Sequence, residues 1–189
     1  MTPGQIVVSS IEGTFSNGSI KGEATIKWGG NINAEGQFNL KGADLGQLLP
    51  AFASGFSATG TLDTNVKFAS QGQKPAELFA APRLDATFTL RKGVINNVDM
   101  MRSLQSPGRA SGKTQFDEIT GEAQVSGNRI AYRNLKLSSV PMKANGAIDI
   151  SPHSELSGRI NVLVGTQTII VTRGTLNVGG SPSNPLLTP

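Results

Sequence analysis

The side chains able to do chemistry are few. The chain has no Cys and a single His, His153, which removes thiolate nucleophiles, disulfides and most zinc sites. His153 follows Ser151-Pro152 in a turn-forming context and has no second ligand or base partner nearby, so a metal or general-base role finds no support there. Asp117, Glu118 and Glu122 form a compact carboxylate group. On a strand, Glu118 and Glu122 share a face that Asp117 does not, and neither a calcium-loop glycine nor a histidine accompanies them, so they read as solvated carboxylates. Tyr132 reads as a strand aromatic with its hydroxyl at the rim. No nucleophile elbow, phosphate loop or dinucleotide fingerprint occurs. The expectation is a protein that is not an enzyme and uses no cofactor and no metal.

What the sequence has in abundance is a face. Across 114–178 the chain reads as successive β-strands, and from residue 140 the apolar side chains fall on even positions: Val140, Met142, Ala144, Ile148 and Ile150, then Leu156, Ile160, Val162 and Val164, then Ile170, Leu176 and Val178. Odd positions carry Lys143, Asn145, Asp149, Arg159, Asn161 and Arg173. Successive strand residues point to opposite sides, so this parity marks one greasy surface and one wet one. Composition agrees: 189 residues, 37% hydrophobic, 23 Gly and only 16% charged suit short strands and tight turns around a core. The fold class expected is mostly β, with meandering antiparallel strands forming an open twisted groove and two or three short helices.

Along the chain, 5–15 and 19–28 flank Ser16-Asn17-Gly18, whose Asn-Gly favours a tight hairpin. A third amphipathic strand follows Gly29-Gly30. Asp44 can cap a short helix carrying Leu45, Leu48, Leu49 and Phe52, kept short by Pro50. It is read as a plug over one end of the sheet, or alternatively as a helix at the mouth of a groove. Strands are expected at 59–69 and 84–90, with a helix at 75–81 opened by Pro75 and ended by Pro82, and a helical piece at 97–105. Residues 106–112 form a loop suited to disorder. A bulge is expected near Arg133-Asn134, and residues 140–150 are read as one strand, with a bulge at Gly146. Pro182, Pro185 and Pro189 mark 179–189 as an extended, fraying tail.

The formal net charge is +4, but Lys and Arg are spread singly and the lone Trp and Tyr are far apart. No nucleic-acid partner is expected from that pattern. It reads as a solvated strand face, with weak attraction to anionic lipid headgroups as the alternative. No stretch is long and apolar enough for a transmembrane helix, and the abrupt start at Met1-Thr2-Pro3 reads as an excised fragment with any targeting signal upstream.

Several motifs in order resemble the carboxy-terminal region of the AsmA-like proteins of Gram-negative bacteria. Gly93-Val94-Ile95-Asn96-Asn97-Val98-Asp99 is similar to a "G-x-I-x-x-V-D" segment, and Lys113-Thr114-Gln115-Phe116-Asp117-Glu118-Ile119-Thr120-Gly121 to "K-T-x-F-D-x-[IL]-x-G". Leu135-Lys136-Leu137-Ser138-Ser139 and Gly146-Ala147-Ile148-Asp149 continue the series, and Gly42-Ala43-Asp44-Leu45-Gly46-Gln47-Leu48-Leu49 with Gly60-Thr61-Leu62 resembles the preceding stretch. The usual Asn-Gly after Val125 is here Gly127-Asn128, an order a positive-φ turn also accepts.

The resemblance implies a single β-rich periplasmic fragment over 1–189, with generic strands in 1–41, the AsmA-like region in 42–178 and the tail in 179–189. Its parent would be held in the inner membrane by an upstream helix, and the fragment would bind and passively conduct phospholipid acyl chains between inner and outer membranes. Val140, Met142, Ile148, Ile150, Leu156, Ile160, Val162, Val164, Ile170, Leu176 and Val178 would line the lipid groove, and no catalytic residue carries over. The partners implied are phospholipids and a membrane or outer-membrane protein. From the residues alone two readings stay open: the even face is an open groove, or it is a closed core and the sheet serves as an interaction module that pairs through its edges.

Overall fold

The computed structural model describes residues 4–52, 56–106, 111–165 and 169–189, with the side chains at 51, 52 and 170 outside the description. Eleven strands form one antiparallel sheet in simple meander order: β1 (Gly4–Phe15), β2 (Gly18–Trp28), β3 (Ile32–Asp44), β4 (Thr61–Gly72), β5 (Arg83–Asn96), β6 (Lys113–Ser126), β7 (Arg129–Ser139), β8 (Met142–Ile150), β9 (Leu156–Gly165), β10 (Ile170–Ser181) and β11 (Asn184–Thr188). The sheet does not close, so β1 and β11 remain edges. Two short helices interrupt the meander, α1 (Leu45–Phe52) after β3 and α2 (Met100–Gln105) after β5, and a 3-10 turn at Pro75–Phe79 joins β4 to β5. The expected mostly-β, open architecture is what forms.

Local chemistry explains the connections. The Asp44 carboxylate caps α1 by accepting from the Gly46 amide at 2.8 Å and the Gln47 amide at 3.4 Å. Asp99 does the same for α2, accepting from the Arg102 amide at 2.9 Å. In the first hairpin the positive-φ pair is Ser16 (48°) and Asn17 (66°), one residue earlier than the Asn-Gly reading. Gly18 is needed for a different reason: a methyl group there would lie 2.7 Å from the Ala43 nitrogen, where β3 crosses over it.

Three expectations are corrected. Val140 does not sit on the even face: it lies in the two-residue turn between Ser139 and Met142 and is 91% exposed. Pro141 has no amide hydrogen to give the ladder, so the strand cannot start before Met142. The 179–189 stretch is not an extended tail. β10 runs on to Ser181, turns at Pro182-Ser183, and β11 returns along it with Leu187 buried opposite Val178. Pro185 is tolerated because β11 is an edge strand. Residues 142–150 are one strand, and the extra residue is not at Gly146: the register with β9 runs unbroken through it, and the shift on the β7 side, opposite Gly146–Ile148, puts the additional residue on β7. The bulge near Arg133-Asn134 is present, with Asn134 at φ 52°. Residues 107–110 of the loop expected to be flexible lie outside the described residues.

Both helices leave the sheet at the same end. α1 sits over β3, where Leu48 packs with Leu40 and Ala43, and Ile20 and Leu62 complete a small cluster. α2 leaves from β5 yet touches β10 and β11. Flat strands about 4.8 Å apart would put β10 about 20 Å from β6, beyond the reach of a six-residue helix. The sheet therefore curls around α2, and the even face is its inner, concave side.

Candidate functional site: an apolar trough

The register assembles the inner face into rows that run across the strands. A row on the helix side is Ala43, Leu62, Leu90, Ile119, Leu137, Ala144, Val162 and Gly174, each directly opposite the next. A middle row runs Gly22, Phe38, Val66, Ala86, Ala123, Tyr132, Ile148, Gly158, Val178 and Leu187. The far row runs Val8, Ala24, Gly36, Phe68, Leu84, Val125, Ile130, Ile150 and Leu156. Tyr132 supplies the only side-chain heteroatom in the three rows. Nine strands at about 4.8 Å spacing make the far row roughly 38 Å long along the curved surface.

Burial divides these rows. In the helix-side row Ala43, Ile119, Leu137, Ala144 and Val162 are buried. Ala43 belongs to the small cluster under α1, whereas the other four join Val98, Met100, Phe116, Met142, Ile160, Leu176, Val178 and Leu187 in a sealed cluster, and Leu104 of α2 packs against it. A methyl group at Gly174 would meet Leu104 at 2.6 Å, so α2 rests directly on the β10 backbone. No member of the far row is buried: Val8 is exposed and the rest are half-buried. The 3-10 turn covers only the neighbouring surface, where Ser70 Oγ donates to the Leu78 carbonyl and Leu78 is buried against β3 and β4. The concave face is therefore filled at one end and open at the other.

The open part has a specific relief. Phe38 and Phe68 lie across glycines of the preceding strand: a methyl group at Gly22 would approach the Phe38 Cβ to 2.9 Å, and one at Gly36 the Phe68 ring to 2.7 Å. Phe88 covers Gly121 from β5 in the same way, at 2.9 Å, and meets Tyr132 edge-on with ring centroids 6.3 Å apart. Flattened rings and missing side chains keep the floor shallow and smooth. Burial raises the Tyr132 phenol above its ordinary value. The Thr64 hydroxyl is spent on the Thr87 carbonyl at 2.9 Å, so it adds no polarity to the floor.

Of the residues expected to line a groove, Met142, Ile160, Val162, Leu176 and Val178 belong to the sealed end. Ile148, Ile150, Leu156 and Val164 are half-buried along the inner face, Val140 is off the face, and the Ile170 side chain lies outside the described residues. The open lining missed by that set is Phe38, Phe68, Leu84, Val125, Ile130 and Tyr132, with Phe88 packed where it meets the sealed cluster. The signal for it was present: alternation in 31–40, 62–68 and 84–90 places their apolar residues on the same sheet, and the helical segments that follow, eight residues at most, are too short to cover strands of twelve to fourteen.

The convex face is polar. Arg91 bridges Asp63 at 2.5 Å and Glu118 at 3.5 Å across three strands, and Arg133 holds Asp149 at 2.6 Å. Hydrogen bonds from the Gly42 amide and Arg91 hold the Asp63 carboxyl below the usual carboxylate range. Glu122 accepts from Asn134 at 3.1 Å, so the carboxylates at 117–122 are separated into different contacts. His153 stands exposed in the β8–β9 turn, its amide donating to Ser151 Oγ. Among the described residues no three His, Asp or Glu side chains converge as a metal set. No family model, curated protein or solved structure matches the chain.

Proposed function

We propose that the open trough binds the acyl chains of phospholipids and lets them slide along it, as the carboxy-terminal part of an AsmA-like bridge in the periplasm between inner and outer membranes. The observation that carries this reading is the far row. It crosses nine strands without a polar side chain, and none of its members is buried. A monomeric protein seldom leaves such a continuous apolar strip facing water unless something binds there. Each methylene removed from water contributes about 0.8 kcal/mol. A floor of aliphatic groups, flat rings and glycines offers that gain at every position, which suits sliding better than capture at one point.

Photo-crosslinking in cells tests it, with the probe placed in turn at Leu84, Ile130 and Leu156 of the far row, at Val162 of the sealed end, and at Gln124 of the convex face. Covalent phospholipid at the first three and none at Val162 or Gln124 is the expected pattern. A correctly folded protein with no lipid at any position would remove the reading.

A second reading rests on β1. This edge strand is twelve residues long, exposes Ile6, Val7, Val8, Ile11 and Phe15, and carries no Lys or internal Pro to discourage pairing. Its open ladder could accept a strand from a neighbouring part of the parent protein or from an outer-membrane partner. Protein adducts concentrated at β1, with no lipid in the trough, would favour it.

A further inference from the structure

The net charge is not shared evenly. Residues 1–128 contain eleven Lys and Arg against eleven Asp and Glu, whereas residues 129–189 contain six against two. The whole excess of positive charge belongs to β7–β11, and the meander gathers it on one surface. Lys143 and Arg173 flank Leu163 from either side in one convex-face row; Lys136 lies one row on, and Arg159 in the row beyond that. All four cations are exposed, and none is ion-paired among the described residues. Cations that look isolated in sequence are brought together because each sits on the outward parity of an adjacent strand.

Beside Lys143 and Arg173, at the helix-bearing end, the same strands carry an apolar tip. Val140 is 91%, Val171 74% and Ile169 64% exposed. The β7–β8 turn that holds Val140 is tied to the start of β10 that holds Val171, with the Gly165 amide at the end of β9 donating to the Pro141 carbonyl at 2.8 Å and Gly165 pairing with Ile170. Two strand spacings, about 10 Å, therefore separate Val140 from Val171. Beneath the cations the convex face dips into a shallow depression of about 720 Å³ lined by Arg133, Asn134, Lys136, Lys143 and Asn145 among others. Its one carboxylate, Glu118, is engaged by Arg91.

We infer that this corner of β7–β10 docks on an anionic lipid bilayer: the valine tips enter the interfacial region, and Lys136, Lys143, Arg159 and Arg173 meet the headgroup phosphates. Charge complementarity selects the occupant. An apolar tip alone would suit any greasy partner, and a basic face alone any polyanion, whereas apolar side chains at the rim of an unpaired basic face match the layered chemistry of a membrane surface. The inference does not depend on the trough, which lies on the opposite side of the sheet.

Flotation of the intact chain with phosphatidylcholine vesicles, with and without phosphatidylglycerol, tests it. Binding is expected only where phosphatidylglycerol is present and is expected to fall as salt is raised. Each unit charge near the surface changes binding about fivefold, so Lys143→Glu with Arg173→Glu should weaken it by more than about 25-fold. Val140→Ser and Val171→Ser should each weaken it about tenfold. Lys67→Glu, on the convex face of β4, should leave it unchanged. Equal binding to neutral vesicles, no flotation with either composition, or equal losses from Lys67→Glu and the Lys143/Arg173 pair would each overturn the inference. Ile130→Asp should abolish lipid crosslinking in the trough while leaving flotation intact, so either reading can fail without the other.

Discussion

Truncating Leu176 and Ile130 separately measures whether the concave face is closed at one end and open at the other. Leu176 is completely buried on β10, opposite Ile160 in the cluster sealed by α2. Its replacement by Ala loses the transfer energy of the removed carbons and leaves a cavity that α2 and the stiff sheet fill only in part, a cost of about 3–4 kcal/mol. Ile130 also points inward from a central strand, between Val125 and Ile150, but is half-exposed with no helix above it. Ile130→Ala removes three carbons that are only half withdrawn from water and leaves no cavity, because solvent reaches the site, so its cost is about 1 kcal/mol. Both residues are β-sheet aliphatics replaced by Ala, so the strand-propensity terms largely cancel in the comparison. With a urea dependence of about 2 kcal/mol per molar, the unfolding midpoint should fall by about 1.5–2 M for Leu176→Ala and about 0.5 M for Ile130→Ala. Equal losses near 3 kcal/mol would mean the far row is packed against something, and acyl-chain binding would have no surface left. Equal losses near 1 kcal/mol would mean α2 does not seal its end.

Two titrations probe the same framework. Tyr132 is the only tyrosine, so phenolate absorbance reports on the trough alone. Its folded pKa is raised, so its contribution to stability is whole below about pH 10 and is lost as pH rises through the folded value. An acyl chain lying beside the ring should push the titration higher still, and an ordinary midpoint in the folded protein would refute the burial assigned to it. Asp63 has the opposite sign. Its pKa is lowered by the Gly42 amide and Arg91, so its contribution is present above the usual carboxylate range and lost as pH falls through the depressed value. Asp63→Asn should therefore flatten the acid limb of the stability profile. The effect should stay below about 1 kcal/mol because the pair is open to solvent, and an unchanged limb would show that the pair does not hold that carboxylate.

Most of the sheet was readable from alternation, because a strand's two faces differ in every second residue and the pattern survives without any knowledge of partners. Residues 142–150 could be joined into one strand on parity alone, and the shift between Tyr132 and Leu135 marked a bulge that the structure contains. What alternation could not give was depth. Val162 and Ile130 are indistinguishable in the sequence, each an aliphatic residue on the inward parity of a strand, yet one is sealed and the other faces water. The difference is made by α2, whose six residues reach from the end of β5 to β10, a contact decided by the curl of the whole sheet. Val140 and the last strand depart from the sequence expectation for a more local reason. The effect of proline depends on where it stands in the sheet: its missing donor sets a strand boundary at Pro141 and is harmless at Pro185 on the edge. Gly146 illustrates a third limit. It reads as a bulge signal, but its role is close approach, since a methyl group there would lie 2.2 Å from the Arg159 carbonyl oxygen on β9.

The direction of the rows bears on both functional readings. Side chains of one row come from different strands, so the trough runs along the hydrogen-bonding direction and its length is set by the number of strands, each adding about 4.8 Å. Lengthening a strand would only widen it. At β11 the far row has already ended, because Leu156 of β9 is its last member and the β10–β11 hairpin carries Gly179 and Gly180 at that level. At β1 it stops on Val8, an exposed residue of a long strand whose outer ladder is unpaired. A further antiparallel strand laid against β1 would place every second side chain on the concave face and carry the trough one step further. Edge pairing and acyl-chain binding are therefore not competing uses of this sheet. The register that makes β1 a pairing surface is the one that would keep the trough continuous, whereas the short, proline-bearing β11 has little ladder to offer at the other edge.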